Sequence, residues 1–166
     1  LSEIQQRLIP STSDSRTFQG FLRRFDILDK LYWDRWSISH MLKQICWDLA
    51  ANKIGYCELK FSLGRYVRDC KATPEDVILF MSEIIGEEAE NWGIVIHLQL
   101  ALKYESDQEQ QLRFSQVIKN PRVRDCVCGI DLVGDESRFF GELSANFYKP
   151  IFEEWKDAGK GLQAHV

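Results

Sequence analysis

Strand-type and helix-type patterns take turns along residues 56–166, and that alternation confines the chain to a few architectures. Residues 56–62 (YCELKFS) set Cys57, Leu59 and Phe61 on one side and Glu58 and Lys60 on the other, the period of two expected of a strand. Thr73-Pro74-Glu75-Asp76 begins a helix well: threonine can cap, proline suits the first turn, and the acids favour the positive end. Val77, Phe80, Met81, Ile84 and Ile85 continue it at helical spacing to about Gly93. Residues 94–102 (IVIHLQLAL) are a nearly continuous apolar run, as in a strand buried on both faces. Residues 107–118 read as a helix closed by Asn120-Pro121, and residues 126–133 (CVCGIDLV) as a third strand. A helix over residues 152–158 ends at Gly159, before a last strand at 162–166 (LQAHV). Each connection is long enough for a right-handed crossover, so the sheet is expected to be parallel.

Upstream, residues 1–17 form a separate short segment: an amphipathic piece at 2–8, then a loop (IPSTSDSRT) with no apolar face. Phe18, Phe21, Leu22, Phe25, Leu28 and Leu31 recur at helical spacing. A second helix carries Ile38, Met41, Leu42, Ile45, Cys46 and Leu49, with Gly55 placed to stop it. An open doubly wound sheet and part of a (β/α) barrel both fit this order. Polar pairs at period two, Glu58 with Lys60 and Gln163 with His165, suit a barrel interior near its mouth better than a covered sheet. The expected fold class is therefore α/β, part of a (β/α)8 TIM barrel of about four parallel strands over residues 18–166, preceded by two helices. Neither GxGxxG nor GxxxxGK[ST] follows any strand, so the common nucleotide-phosphate fingerprints are absent.

Composition limits the class of function. Hydrophobic residues at 45% and charged residues at 28% can build a core, which excludes intrinsic disorder. No apolar run approaches the ~20 residues that a bilayer demands, and the start lacks the basic and apolar stretches of a signal peptide. Twenty-one Lys and Arg against twenty-five Asp and Glu give a formal charge of -4, which argues against nucleic acid and leaves Arg65, Arg68 and Lys71 as a solvated loop. Five cysteines, odd in number and scattered through apolar segments, fit a reducing, cytoplasmic setting. Cys126 and Cys128 share a strand face in this reading and are expected to be buried thiols, since nothing completes a zinc set around them.

Barrel chemistry sits at the C-terminal ends of strands. Those ends are residues 61–62, 103–104, 131–136 and His165. The third is the richest, with Asp131 on the strand, Gly134 leaving the backbone bare, and Asp135 and Glu136 adding carboxylates. By itself that stretch also reads as a strand-end turn with solvated acids. His97 is expected in the core among aliphatics, and His40 receives no role. The aromatic residues 31–36 (LYWDRW) read as helix packing before they read as a docking surface. No GxSxG supports serine hydrolase chemistry.

Taken together, GIDLVGDE at 129–136 followed by a strand ending LQAHV resembles the adenosine deaminase family of metal-dependent hydrolases. In that family a GIDLxGDE-like strand precedes a strand ending in HAGE. FLRRFDIL at 21–28 looks like the family's FLxxFD helix and YCELKFS like its YxExRxSP strand, in the same order. The resemblance runs from about Phe18 to the end of the chain. It implies an eight-stranded barrel holding one Zn2+ that activates water to attack C6 of adenine, giving the inosine-type product and ammonia. By position, the resemblance makes His165 a zinc ligand and Gly134 a backbone N–H donor to the purine ring. It places Phe25 and Leu22 in an apolar wall over the ribose side.

The departures shape the expectation. The family's first-strand pair of histidines, the Glu of HAGE and the later His and Asp are not present, and Lys60 and Lys103 stand where its pattern has arginine. The chain is therefore expected to be a middle fragment of a zinc-dependent adenosine or adenine-nucleotide deaminase, with no catalytic residue of its own and no activity alone. Its partners would be the rest of the barrel polypeptide and a purine nucleoside or nucleotide, with no membrane, and an oligomer left open. Adenosine, AMP, ATP and adenine all remain candidate substrates. The alternative is a non-catalytic deaminase-like scaffold or subunit of a larger assembly, such as an antiviral defence protein.

Overall fold

Strand periodicity at 56–61 and an apolar run at 95–103 pair side by side, and the rest of the sheet is built outward from them. The structure is a computed structural model that describes residues 20, 33–104, 107–134 and 142–165, the side chains of 142–144 excepted. The chain divides into two compact units, Leu1–Trp33 and Asp34–Val166, and the architecture described is that of the second. Its elements are α1 (Arg35–Ala51), β1 (Tyr56–Phe61), α2 (Leu63–Cys70), α3 (Pro74–Trp92), β2 (Val95–Lys103), α4 (Gln108–Ser115), α5 (Pro121–Cys126), β3 (Val127–Val133), α6 (Glu142–Asp157) and β4 (Gly161–Ala164). The strands form one parallel sheet in the order β1-β2-β3-β4. Sequential parallel neighbours joined by helical crossovers are the arrangement of a barrel wall. Among the described residues, no helix is long and apolar enough to cross a membrane.

Local signals explain where the helices begin and end. Asp34 caps α1 by accepting from the Ser37 amide at 2.8 Å. The helix closes at Asn52, with Lys53 at φ 60, so Gly55 does not stop it as expected. Thr73 and Asp76 form the capping box of α3, and hydrogen bonding from the Thr73 side chain and then the Thr73 backbone N–H holds the Asp76 carboxyl below its usual range. Gly93 ends that helix at φ 65, as the sequence led us to expect.

Two short helices depart from expectation. Arg65 and Arg68 lie on α2, and Lys71 is its left-handed cap, so this is not a solvated loop; Leu63 and Asp69 of α2 are buried. Asn120-Pro121 closes no long helix. α4 stops at Ser115, a 3-10 turn covers Gln116–Lys119, and Asn120 caps α5 by accepting from the Arg122 amide at 3.1 Å, with Pro121 in its first turn. Cys126 consequently ends a helix rather than starting a strand, and its Sγ contacts the Arg122 carbonyl at 3.1 Å. It shares no strand face with Cys128, and both thiols are half-buried. α6 is longer than the expected 152–158 and accommodates Pro150 internally.

The core lies on one face of the sheet. Leu98, Leu100 and Leu102 of β2 and Ile130 and Leu132 of β3 are buried, as are Ile38, Leu42, Ile78, Met81, Phe114 and Trp155 from the helices. Trp155 is fully buried, and its indole N–H donates to the Ser115 carbonyl at 3.0 Å, which ties α6 to the end of α4. β2 is buried on both faces only from Leu98 to Leu102. His97 is exposed, which corrects its placement in the core, because it precedes that stretch on the opposite face. Trp36 is 68% exposed and lies against His40, ring centroids 3.9 Å apart, so it does not pack into the core either.

One irregularity sets the phase of β3. Leu98 pairs with Val127 but Gln99 pairs with Gly129, so Cys128 is an extra residue, a β-bulge. Without it Gln99 would face Cys128, and Asp131 would fall in line with Leu102 on the apolar face. The bulge turns Asp131 to the other side, in register with Ala101 and Gln163. Close approach at this point requires glycine: a Cβ on Gly129 would lie 2.6 Å from the Gly161 carbonyl oxygen. Replacement Gly129→Ala is expected to cost about 1–3 kcal/mol of stability through that backbone clash. Gly161→Ala, whose Cβ would meet its nearest atom at 3.5 Å, should cost clearly less in parallel urea titrations.

Candidate functional site

The second face of the sheet is polar, and its side chains meet across strands. Glu58 and Lys60 on β1, His97 and Gln99 on β2, Asp131 on β3, and Gln163 and His165 at β4 all follow the same alternation. A doubly wound sheet would cover both faces with apolar residues, whereas a barrel interior takes polar groups near its mouth. Small residues leave the space that the long ones use. Ala101 stands beside Asp131 on β2, and Gly129 and Gly161 are paired on β3 and β4. Over that bare patch the Gln99 amide donates to Gln163 Oε1 at 3.1 Å.

The centre of this face is Asp131. Its side chain has no exposed surface (0%), and its Oδ2 is contacted by the Lys60 ammonium from two strands away and by His165 Nδ1 at 2.8 Å. Lys60 Nζ also lies 3.3 Å and 3.5 Å from the two ring nitrogens of His165. The three groups thus form one cluster at the C-terminal ends of β1, β3 and β4. None of these contacts gives either Asp131 oxygen an aligned hydrogen bond among the described residues. A buried carboxylate in this state is held by charge and remains open to a further cation or donor. His165 is itself fixed by its backbone, since its N–H donates to the Leu132 carbonyl at 2.9 Å and extends β4 pairing by one step.

Below this cluster the face continues through Tyr56, Glu58, His97 and Cys128. The Tyr56 hydroxyl donates to Glu58 Oε1 at 2.7 Å, and this bond pushes the phenol up to about 12. The Tyr56 and His97 rings lie 5.7 Å apart. Burial raises the Cys128 thiol, and the Glu58 carboxylate raises it further. This end offers no thiolate and no poised nucleophile.

The structure places the sequence-derived candidates unevenly. His165 stands where expected, at the end of the last strand. Gly134 directly follows β3 at φ 145, a backbone conformation that side chains disfavour. Phe25, Leu22, Asp135 and Glu136 lie outside the described residues. The pairing of Lys60 with Asp131 was not anticipated; its signal was a single acid inside the apolar strand CVCGIDLV and a lysine in the inward phase of β1. Lys103 is exposed and takes no part in the cluster. For a metal, His165 and Asp131 are fitting donors, while no group of three or more His, Cys, Asp or Glu among the described residues could hold an ion.

Two outcomes follow from the geometry. Removing the Lys60 charge leaves Asp131 buried and uncompensated, so Lys60→Met is expected to lose about 3 kcal/mol in urea denaturation, the low end for a broken buried pair because the lysine side chain is 32% exposed. Glu58→Gln should bring Tyr56 ionisation down from about 12 toward the ordinary phenol value, read by ultraviolet titration against the parent chain.

No family model matches the chain, and no curated protein matches it. Solved structures do. An amidohydrolase from Burkholderia ambifaria with bound Zn superposes at a TM-score of 0.78 with 20% identity, covering 99% of this chain and 43% of that one. An Arabidopsis protein, ADAL, complexed with GMP, superposes at 0.77 with 17% identity over 99% of this chain and 48% of its own. The adenine deaminase of Arthrobacter aurescens superposes at 0.71 with 14% identity, covering 99% and 47%. This chain spans less than half the length of each. At these identities the likeness speaks to fold, and the four strands are part of the (β/α)8 barrel that these amidohydrolase and deaminase structures have in common.

Proposed function

We propose that this chain supplies the second to fifth strands of the barrel of a zinc-dependent deaminase acting on an adenine nucleoside or nucleotide. The observation that carries the reading is the meeting of His165 with the buried Asp131 carboxylate at the C-terminal strand ends, where barrel enzymes hold their sites. The GIDLVGDE stretch that bears Asp131 and Gly134 supports it. So do the neighbours in fold, one with bound Zn, one complexed with GMP and one an adenine deaminase. Bound zinc would supply hydroxide at neutral pH by lowering the pKa of its water to about 7. The reaction exchanges the C6–NH2 of adenine for C6=O, with water consumed and ammonia released.

Within that reaction this chain binds and orients. His165 offers one imidazole nitrogen to the metal, and the other ligands belong to parts of the barrel outside this chain. The Gly134 amide, free of any side chain, donates to the purine ring. The five free cysteines support a reducing setting such as the cytoplasm. On this reading the 166 residues alone release no ammonia.

The test is made on the parent polypeptide that contains this chain. Metal analysis should find one zinc per barrel, and ammonia should be released from at least one of adenosine, AMP, ATP and adenine. His165→Ala should lower both zinc content and turnover by at least about tenfold. A folded parent with neither zinc nor turnover on any of the four would overturn the reading in favour of a scaffold.

A further inference from the structure

The sheet has two open edges, and they fit each other. Among the described residues β1 pairs only with β2 and β4 only with β3, so each has one side with no strand beside it. The Val95 N–H donates to the Gly55 carbonyl at 2.9 Å, and along a parallel ladder successive residues turn their backbone groups to alternate sides. Residues 55, 57 and 59 therefore bond toward β2, and residues 56, 58 and 60 face the free edge. By the same rule the His165 bond to the Leu132 carbonyl turns 163 and 165 toward β3 and leaves 162 and 164 facing outward. Neither β1 nor β4 carries a proline or a register shift that would blunt its edge.

The register of the sheet says how the edges would meet. A (β/α)8 barrel closes with a shear of about 8 residues, so half a turn displaces the register by about 4. Perpendicular to the strands, Phe61 lies level with Leu100, Leu100 with Ile130, and Ile130 with Leu162. That line runs from the last residue of β1 to the second of β4, toward the N-terminal ends of the strands. Continued in the same sense, it meets the β1 of another copy four residues before Phe61, at Cys57. Leu162 then opposes Cys57, and Ala164 opposes Leu59. Displaced the other way, Leu162 would meet residue 65, which lies in α2 and offers no strand. The hydrogen bonds agree with this register, since residues 162 and 164 would bond to 56, 58 and 60, the groups that face the β1 edge. The side chains agree as well. Gln163 meets Glu58 on the polar face, amide donor to carboxylate, while Leu162 and Ala164 meet Cys57 and Leu59 on the helical side. Tyr56 and Leu162, exposed in the single chain, become covered. α3 packs against α5, which leads into β3, and against α1, which leads into β1, so α1 flanks the β1 edge and covers the junction from outside.

We propose that two copies of this chain pair about a two-fold axis, β4 of each adding in parallel to β1 of the other, so that eight strands close one barrel. The pairing sets Gly161–Ala164 opposite residues 56–59 of the second copy and makes the same junction twice, as a closed two-fold assembly requires. The proposal goes beyond the deaminase reading and does not rest on it: in a parent polypeptide the same edges receive its other strands, and a second copy takes that place for the 166 residues alone.

The molar mass of the 166-residue chain, measured by light scattering across a micromolar dilution series, tests this directly. The expected result is twice the 19.4 kDa of one chain. A monomer throughout the series, or an assembly of any other size, overturns the proposal. Ala164→Pro removes an N–H that the sheet itself does not use, so the fold should persist while the mass halves. A folded Ala164→Pro chain that remains a dimer overturns the edge pairing. The register is read separately, and without that variant, from Leu162→Cys. Under mild oxidation its new thiol should join Cys57 of the second copy, giving a covalent dimer on non-reducing gels that disappears when Cys57→Ser is added. A dimer of the unaltered chain in which this bond does not form, or forms equally without Cys57, overturns the register. The deaminase reading stands or falls on zinc and ammonia release in the parent polypeptide, which none of these measurements touches.

Discussion

A carboxylate with no exposed surface, held in the middle of a parallel sheet, is the constraint around which the rest of this structure is arranged. Ionised and unpaired it would cost several kcal/mol, so the fold must bring a cation to it. The cation comes from β1, two strands away, and reaches Asp131 across the small Ala101. The contact therefore exists only if three strands keep their register. A slip of one residue in β1 would turn Lys60 to the apolar face and bring Leu59 or Phe61 to the polar one. The ion pair adds little net stability, but it specifies the register strongly.

The same constraint accounts for the irregularities. The bulge at Cys128 is what places Asp131 on the polar face, and the bulge is followed at once by Gly129, which no side chain could replace without meeting the Gly161 backbone. Behind the sheet the core is conventional, with leucines and isoleucines of β2 and β3 against the buried sides of the helices. Gln111, itself buried, accepts from the Lys103 amide at 2.8 Å and terminates β2 just where the polar cluster begins. The helices thus fix the strand ends, and the strand ends fix the site.

Much of this was legible in the sequence, and the failures have physical causes. Period-two polar residues mark β1 and β4 and a nearly continuous apolar run marks β2, and Glu58 with Lys60 and Gln163 with His165 do share the face that this pattern assigns them. α2 and α5 were missed because eight and six residues carry too few apolar positions to show a helical period. Asn120-Pro121 marks a boundary equally well as the end of one helix or the start of the next. His97 was placed in the core because an apolar run hides the point at which burial begins. The meeting of Lys60 and Asp131 depends on a bulge in β3, and neither strand alone reveals a register shift between it and its neighbour.

Lysine at position 60, where the resembled family has arginine, has a geometric consequence. A guanidinium binds a carboxylate through two parallel N–H bonds and would occupy both oxygens in its own plane. An ammonium is a point charge on a flexible stem, and here it compensates Oδ2 while leaving neither oxygen in an aligned hydrogen bond. The second partner of that oxygen is His165, so the lysine neutralises the carboxylate without displacing the histidine from it. The strand that ends in His165 therefore meets the middle of the sheet through a side-chain contact as well as its backbone bond to Leu132.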